Sequence, residues 1–180
     1  MLSGFFTRKL SGSSQVPSMT SKIIRRASII VLATVCTACR SDQPPAGNAV
    51  DTAFAALQQR GQMAMGVDQY TSQQHFEATS DGGRIELQRD TADSLGIAQI
   101  RAHLKLIQHA FQAGDFSTPA FVHMRDMPGT QVMKAKRDVI EYGYADLPRG
   151  GEVLITTKDP DALAAIKQFM DAQKMDHRAH

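Results

Sequence analysis

Residues 75–88 read HFEATSDGGRIELQ, and residues 138–158 read DVIEYGYADLPRGGEVLITTK. Each is a pair of short runs rich in β-formers around a turn, Asp-Gly-Gly in the first and Pro-Arg-Gly-Gly in the second. That is the signature of a β-hairpin. A long helical pattern follows each: Thr91 to Ala113, then a helix from about Asp159 with Pro160 in its first turn, where its fixed φ suits a helix start. The two halves also align. GGRIEL (82–87) matches GGEVLI (150–155), Phe76 matches Tyr144, and Leu95 matches Leu163. Two residues out of step, IRAHL (100–104) matches IKQFM (166–170). The predicted fold is α+β: two β-β-α repeats forming a four-stranded antiparallel sheet with two helices on one face. Such a two-layer sandwich buries one sheet face and leaves the other to solvent, a tether or a partner.

Between the repeats lies an insertion, residues 114–137, which contains AFVHMRDMPGTQVM (120–133). Pro128-Gly129 predicts a turn of helix from about Thr130 to Arg137. The remainder reads as a loop, and loops this long between compact units are often functional. Upstream, residues 51–60 predict a short helix capped by Asp51 or Thr52, broken by the glycines of GQMAMGVDQY (61–70). RSDQPPAGNAV (40–50) reads as a polar tether. The expected organisation is a signal over 1–39, a tether and short helix over 40–66, and an α+β domain over 67–180.

The first 39 residues carry Arg8, Lys9, Lys22, Arg25 and Arg26 and no acidic residue. Lys22, Arg25 and Arg26 precede the apolar run ASIIVLATVCTA (27–38). That is the pattern of an export signal, and the run is shorter than the ~20 apolar residues of a spanning helix. A start at Met19 gives the more typical length. The segment closes on VCTAC, which resembles a bacterial lipoprotein signal with Cys39 as the lipid-carrying residue. Cys36 stands where such signals usually carry Leu or Val. Cleavage after Ala38 without lipidation and an uncleaved anchor are the alternatives. A C-x-x-C pair is also a redox or haem-attachment pattern, but no His follows Cys39. The chain has two cysteines in all, so the exported domain holds no internal disulfide.

The chain has 20 basic and 18 acidic residues. Without the five basic residues of the signal, the remainder is net acidic, which argues against nucleic acid as a partner. No G-x-S-x-G or S-x-x-K motif supports catalysis. Neither G-x-x-x-x-G-K-[ST] nor G-x-G-x-x-G supports a phosphate cradle. The reading is non-enzymatic.

Six histidines remain to be explained. On the first long helix, Ile100, Leu104, Ile107 and Phe111 form an apolar stripe, and His103 falls within it while His109 points away. On the second, Leu163, Ile166, Phe169 and Met170 form the stripe, and His177 returns to that face in the last turn. His75 faces the open side of the sheet if Ile85 and Leu87 face the helices. His180 is terminal. His123 lies in the insertion beside Met124, with Met127 and Met133 downstream. One interpretation is bland: His103 bonded to a backbone carbonyl, His177 answering a helix dipole, His123 in a surface loop and the methionines filling gaps. The sharper one is a metal site of His103 and His123, with His177 as a third candidate and Met133 or Met124 as a soft ligand. Imidazole suits copper or zinc, and thioether adds a preference for Cu(I). No H-x-H, H-E-x-x-H or M-x-x-M-x-x-M run accompanies it.

MGVDQ (65–69), HF (75–76), GG (82–83), IRAHL (100–104), AGDFSTPAFVH (113–123), PGTQVM (128–133), LITT (154–157) and MDAQKMDH (170–177) together resemble, in order and spacing, a family of small bacterial secreted proteins with no established activity. The likeness covers about residues 65–177. By position it implies a polar or metal site of His75, His103, His123, Met133 and His177. Gln74 and Lys167 stand where that family often has histidine.

The expected function is therefore an exported cell-envelope binding protein, with a transition-metal ion such as copper or zinc as ligand and the membrane reached through its N-terminus. The alternative is an envelope interaction module that docks a partner protein through the insertion or through an apolar patch on the open sheet face.

Overall fold

A computed structural model of the chain describes residues 46–179. The signal segment, Met19, Cys36, Cys39 and most of the tether lie outside those residues, as does His180.

The two hairpins are antiparallel strand pairs. Strands β1 (Ser72–Ala78) and β2 (Gly82–Arg89) form the first, and β3 (Ile140–Leu147) and β4 (Gly150–Thr157) the second. They join through β2 and β4 into one antiparallel sheet of order β1-β2-β4-β3. The register sets the faces. Phe76, Ile85, Val153 and Tyr144 form one rung across all four strands, and its first three members are buried. The rung shifted by one residue is His75, Glu86, Glu152 and Ala145, on the opposite face. Among outward strand positions only Leu154 is an exposed large apolar side chain. The apolar patch expected there for a partner is not present among the described residues.

Five α-helices accompany the sheet. Helix α1 spans Ala46–Met65, α2 Ser94–Gln112, α3 Ser117–His123, α4 Thr130–Ala135 and α5 Pro160–Asp176. No described helix is long and apolar enough to cross a membrane. Caps set the long ones. Asp93 accepts from Gly96 N at the start of α2. Asp159 accepts from Asp161 N and Ala162 N at the start of α5, with Pro160 at its first position. Helix α2 lies over β3 and β4, and α5 mainly over β1 and β2, so each crosses to the hairpin that does not precede it. The stripes Ile100, Leu104, Ile107, Phe111 and Ile166, Phe169, Met170 meet the sheet in one core. Each fully buried side chain of this kind contributes about 1.5–3 kcal/mol.

Two expectations are corrected. The short helix over 51–60 is part of a helix running from Ala46 to Met65, straight through Gly61. Gly61 does not break it. A Cβ there would sit 3.1 Å from Gln69 Oε1, so the glycine makes room for that side chain. Helix α1 packs against α3 and α2, and Leu57 is buried, so this stretch is part of the folded body. The insertion, in turn, is largely helical. The expected turn from Thr130 is α4. Helix α3 was not expected, and Asp115 Oδ1 accepts from Ser117 N at its start. Gly129 before α4 has φ +81°, and a Cβ there would lie 2.1 Å from Ala165 O. No side chain fits that approach.

Candidate functional site

The pairing of His123 with Met124 has a local cause. His123 is the last residue of α3, and Met124 is its left-handed cap, with φ 54°. The chain turns between them, so the two side chains part. Met124 is 70% exposed, while the His123 ring is 1% exposed. Met133 is fully buried on α4 and belongs to the hydrophobic core. Neither methionine borders the site described next.

A partly open cavity of about 70 Å³ lies where α1, α2, α3 and α5 meet the first hairpin. Its walls include Phe76, Ile85, Leu104 and Phe111, and it is lined by three of the predicted histidines, His103, His123 and His177. His75 does not reach it. That ring faces outward, 4.0 Å from Glu77. His109 is exposed.

Each cavity histidine is held differently. His103 is hydrogen-bonded to the backbone carbonyl of Ala64, and burial holds its pKa below the usual value. His123 has both ring nitrogens engaged. Nδ1 donates to Asp176 Oδ2 at 2.8 Å, and Nε2 lies 2.8 Å from the Gln173 amide. Arg125 donates to the same Asp176 oxygen at 2.5 Å. Burial lowers the His123 pKa, against the raising effect of Gln173 and Asp176. A neutral ring with its proton on Nδ1 requires Gln173 to present its amide N–H to Nε2; an imidazolium would instead donate to the amide oxygen.

His177, the cap residue of α5, stacks on Phe76 with ring centroids 5.3 Å apart. It meets His123 edge to face at 5.1 Å. Burial first, then the neighbouring His123, push its pKa down to about 4, despite Asp176. Its Nδ1 is buried with no hydrogen-bond partner among the described residues.

Three glutamines complete the polar lining: Gln69, Gln74 and Gln173. Gln74 pairs with Leu87 on the buried sheet face, and alternation from Phe76 in the sequence already places it there. Gln173 lies seven residues after Ile166, on the inner stripe of α5. These inward polar positions were the missed signal. Sequence reasoning followed histidines and methionines and passed over amides.

Among the described residues, no group of three or more His, Cys, Asp or Glu side chains is placed to hold a metal ion. The expected ligand set divides accordingly. His103, His123 and His177 share one cavity, Met133 is in the core, and His75 is on the far face of the sheet. No family model matches the chain, and comparison with curated proteins and with solved structures gives no match.

Proposed function

We propose that the chain is an exported, non-catalytic binding protein of the cell envelope, and that its ligand occupies the cavity behind His103, His123 and His177. The observation that carries this reading is the convergence of three imidazoles, from three separate helices, on one cavity. Concave, mainly apolar sites with a few convergent polar groups are the usual form of small-ligand sites. The non-catalytic part rests on the sequence, which carries no G-x-S-x-G or S-x-x-K motif. The exported part rests on residues 1–39. A transition metal is the second reading, favoured by the imidazoles.

The test is an NMR titration of the full chain, following the histidine ring signals. Cu(I), Zn(II) and small neutral organic probes form the panel. At least one is expected to shift His103, His123 and His177 saturably while leaving exposed His109 unmoved. If no member of the panel shifts the three rings, the binding reading fails. Mass spectrometry of the exported chain tests the tether: an N-terminal Cys39 carrying a lipid is expected, and an unmodified Cys39 excludes it.

A further inference from the structure

We infer that the cavity takes a small, uncharged molecule that donates a hydrogen bond, of the class of a primary amide or an N–H heterocycle, rather than a metal ion or an apolar gas. This rests on the binding reading above and narrows it.

The orientation of one amide is fixed by its neighbours. Gln69 Nε2 donates to the Val67 carbonyl at 3.0 Å. Its Oε1 is therefore free to accept, and Gln74 Nε2 donates to it. That fixes the other end of Gln74, a residue of the cavity lining: its Oε1 is a buried acceptor with no partner among the described residues. His177, also of the lining, has a second such atom, Nδ1, which accepts in the tautomer that carries its proton on Nε2. A buried acceptor without a donor is destabilising, and a donor from a bound molecule relieves it.

Charge excludes the other classes. No Asp, Glu, Lys or Arg lines the cavity. The nearest carboxylate, Asp176, lies behind His123 and is already shared by that ring and Arg125, so an ion in the cavity would meet no carboxylate directly, and a poorly paired buried charge is unfavourable. Burial also favours the neutral form of all three rings. A metal would find one nitrogen of His103 already used on Ala64 and both of His123 used on Asp176 and Gln173. A purely apolar guest would leave the two acceptors as they are. Size sets the rest. About 70 Å³ is the room of several waters at ~10–15 Å³ each, so the guest has only a few heavy atoms. Its affinity is then micromolar at best by the usual ceiling per atom. Gln69, Gln74 and His177 also line the adjacent surface groove that His75 and Arg178 border. These three residues are common to the cavity and the groove.

The experiment uses the full chain and four probes: acetamide, pyrazole, Zn(II) and xenon. Saturable shifts of His177, Gln74 and Phe76 signals are expected with acetamide or pyrazole at millimolar concentration. Gln74→Met and His177→Phe are each expected to weaken that binding at least tenfold, with signal dispersion confirming that both fold. Saturation by Zn(II) alone overturns the neutral class and leaves the binding reading standing. Saturation by xenon alone does the same. Shifts by no probe mean that ordered water alone fills the cavity, and both readings fall. Equal probe affinity in the wild type and both variants also overturns the assignment.

Discussion

Two clusters of this core that adjoin at Phe111 are filled in opposite ways. In one, Phe111, Phe116 and Phe169 meet with centroids 4.6 to 6.1 Å apart, and Tyr142 closes the edge. At its rim Gln108 donates to Tyr142 O. In the other, Phe76 stacks on His177, which meets His123 edge to face, a cavity remains, and two buried polar atoms of its lining residues, Gln74 Oε1 and His177 Nδ1, lack partners among the described residues. The Tyr142 hydroxyl also lacks a partner among the described residues, but Tyr142 does not line the cavity. The aromatic cluster is closely packed. The histidine cluster leaves space unfilled and polar atoms unpaired.

That contrast breaks first at Phe169, which is fully buried and touches Phe111 and Phe116. Phe169→Ala is expected to lower stability by about 3–5 kcal/mol, the range for a buried Phe truncation, read by urea denaturation. A loss below ~1 kcal/mol would mean the aromatic cluster is not the stabilising one.

Acid should act on the other cluster. His177 has a folded pKa of about 4 against 6.5 unfolded, so the unfolded chain holds more protons between those values. Stability is complete above pH 6.5 and falls as pH drops toward 4, by about 3 kcal/mol from this group. His103 and His123 are lowered too and act in the same direction. Denaturation midpoints across that range measure the loss. His177→Phe should flatten the profile, whereas Phe169→Ala should shift it down without changing its shape.

Much of the fold is legible because hairpins and helix caps are local. Asp-Gly-Gly, Asp159-Pro160 and the stripe Ile100, Leu104, Ile107, Phe111 each set their element with few distant partners. Helix α3 was not legible. It is seven residues long, carries Pro119 internally and has Phe116, which offers no acceptor, at its cap position; the accepting side chain, Asp115, stands one residue earlier, so neither periodicity nor an ordinary cap marks it. Gly61 misled because room for Gln69 and a helix break look identical in sequence. The inward faces of His103 and His177 were legible from helical spacing. His123 was not, since its burial depends on Asp176 and Gln173, fifty or more residues away. A cavity is invisible to any pattern, because it is a failure of distant side chains to fill space. The duplication of the β-β-α unit stays a proposal from the sequence matches.

A milder contrast compares two acidic residues. Asp176 accepts from the buried His123 and from Arg125. Asp176→Asn should lower stability by about 1.5–2 kcal/mol, as for a hydrogen bond between a charged and a buried group. Asp146 pairs with Arg101 on the surface at 3.3 Å. Its change to Asn should give no resolvable loss, because exposed pairs contribute little. Equal losses at the two would erase the distinction between a wired and a rim carboxylate.

The smallest effect has the opposite sign and separates site from scaffold most cleanly. His177→Phe keeps an aromatic ring on Phe76 and removes a buried nitrogen that has no partner. The cavity beside it gives the slightly larger ring room, so overpacking is relieved. Removing an unsatisfied buried acceptor is neutral or favourable. At pH 7 the variant should therefore be more stable than the wild type, by up to about 1 kcal/mol, in thermal and urea unfolding. The same substitution should abolish uptake of acetamide or pyrazole. A residue whose loss strengthens the fold and removes binding is held there by the ligand, because packing alone would select the phenyl ring. If His177→Phe instead lowers stability, the ring is a packing element bonded through water, and the histidine cluster differs from the aromatic cluster only in composition.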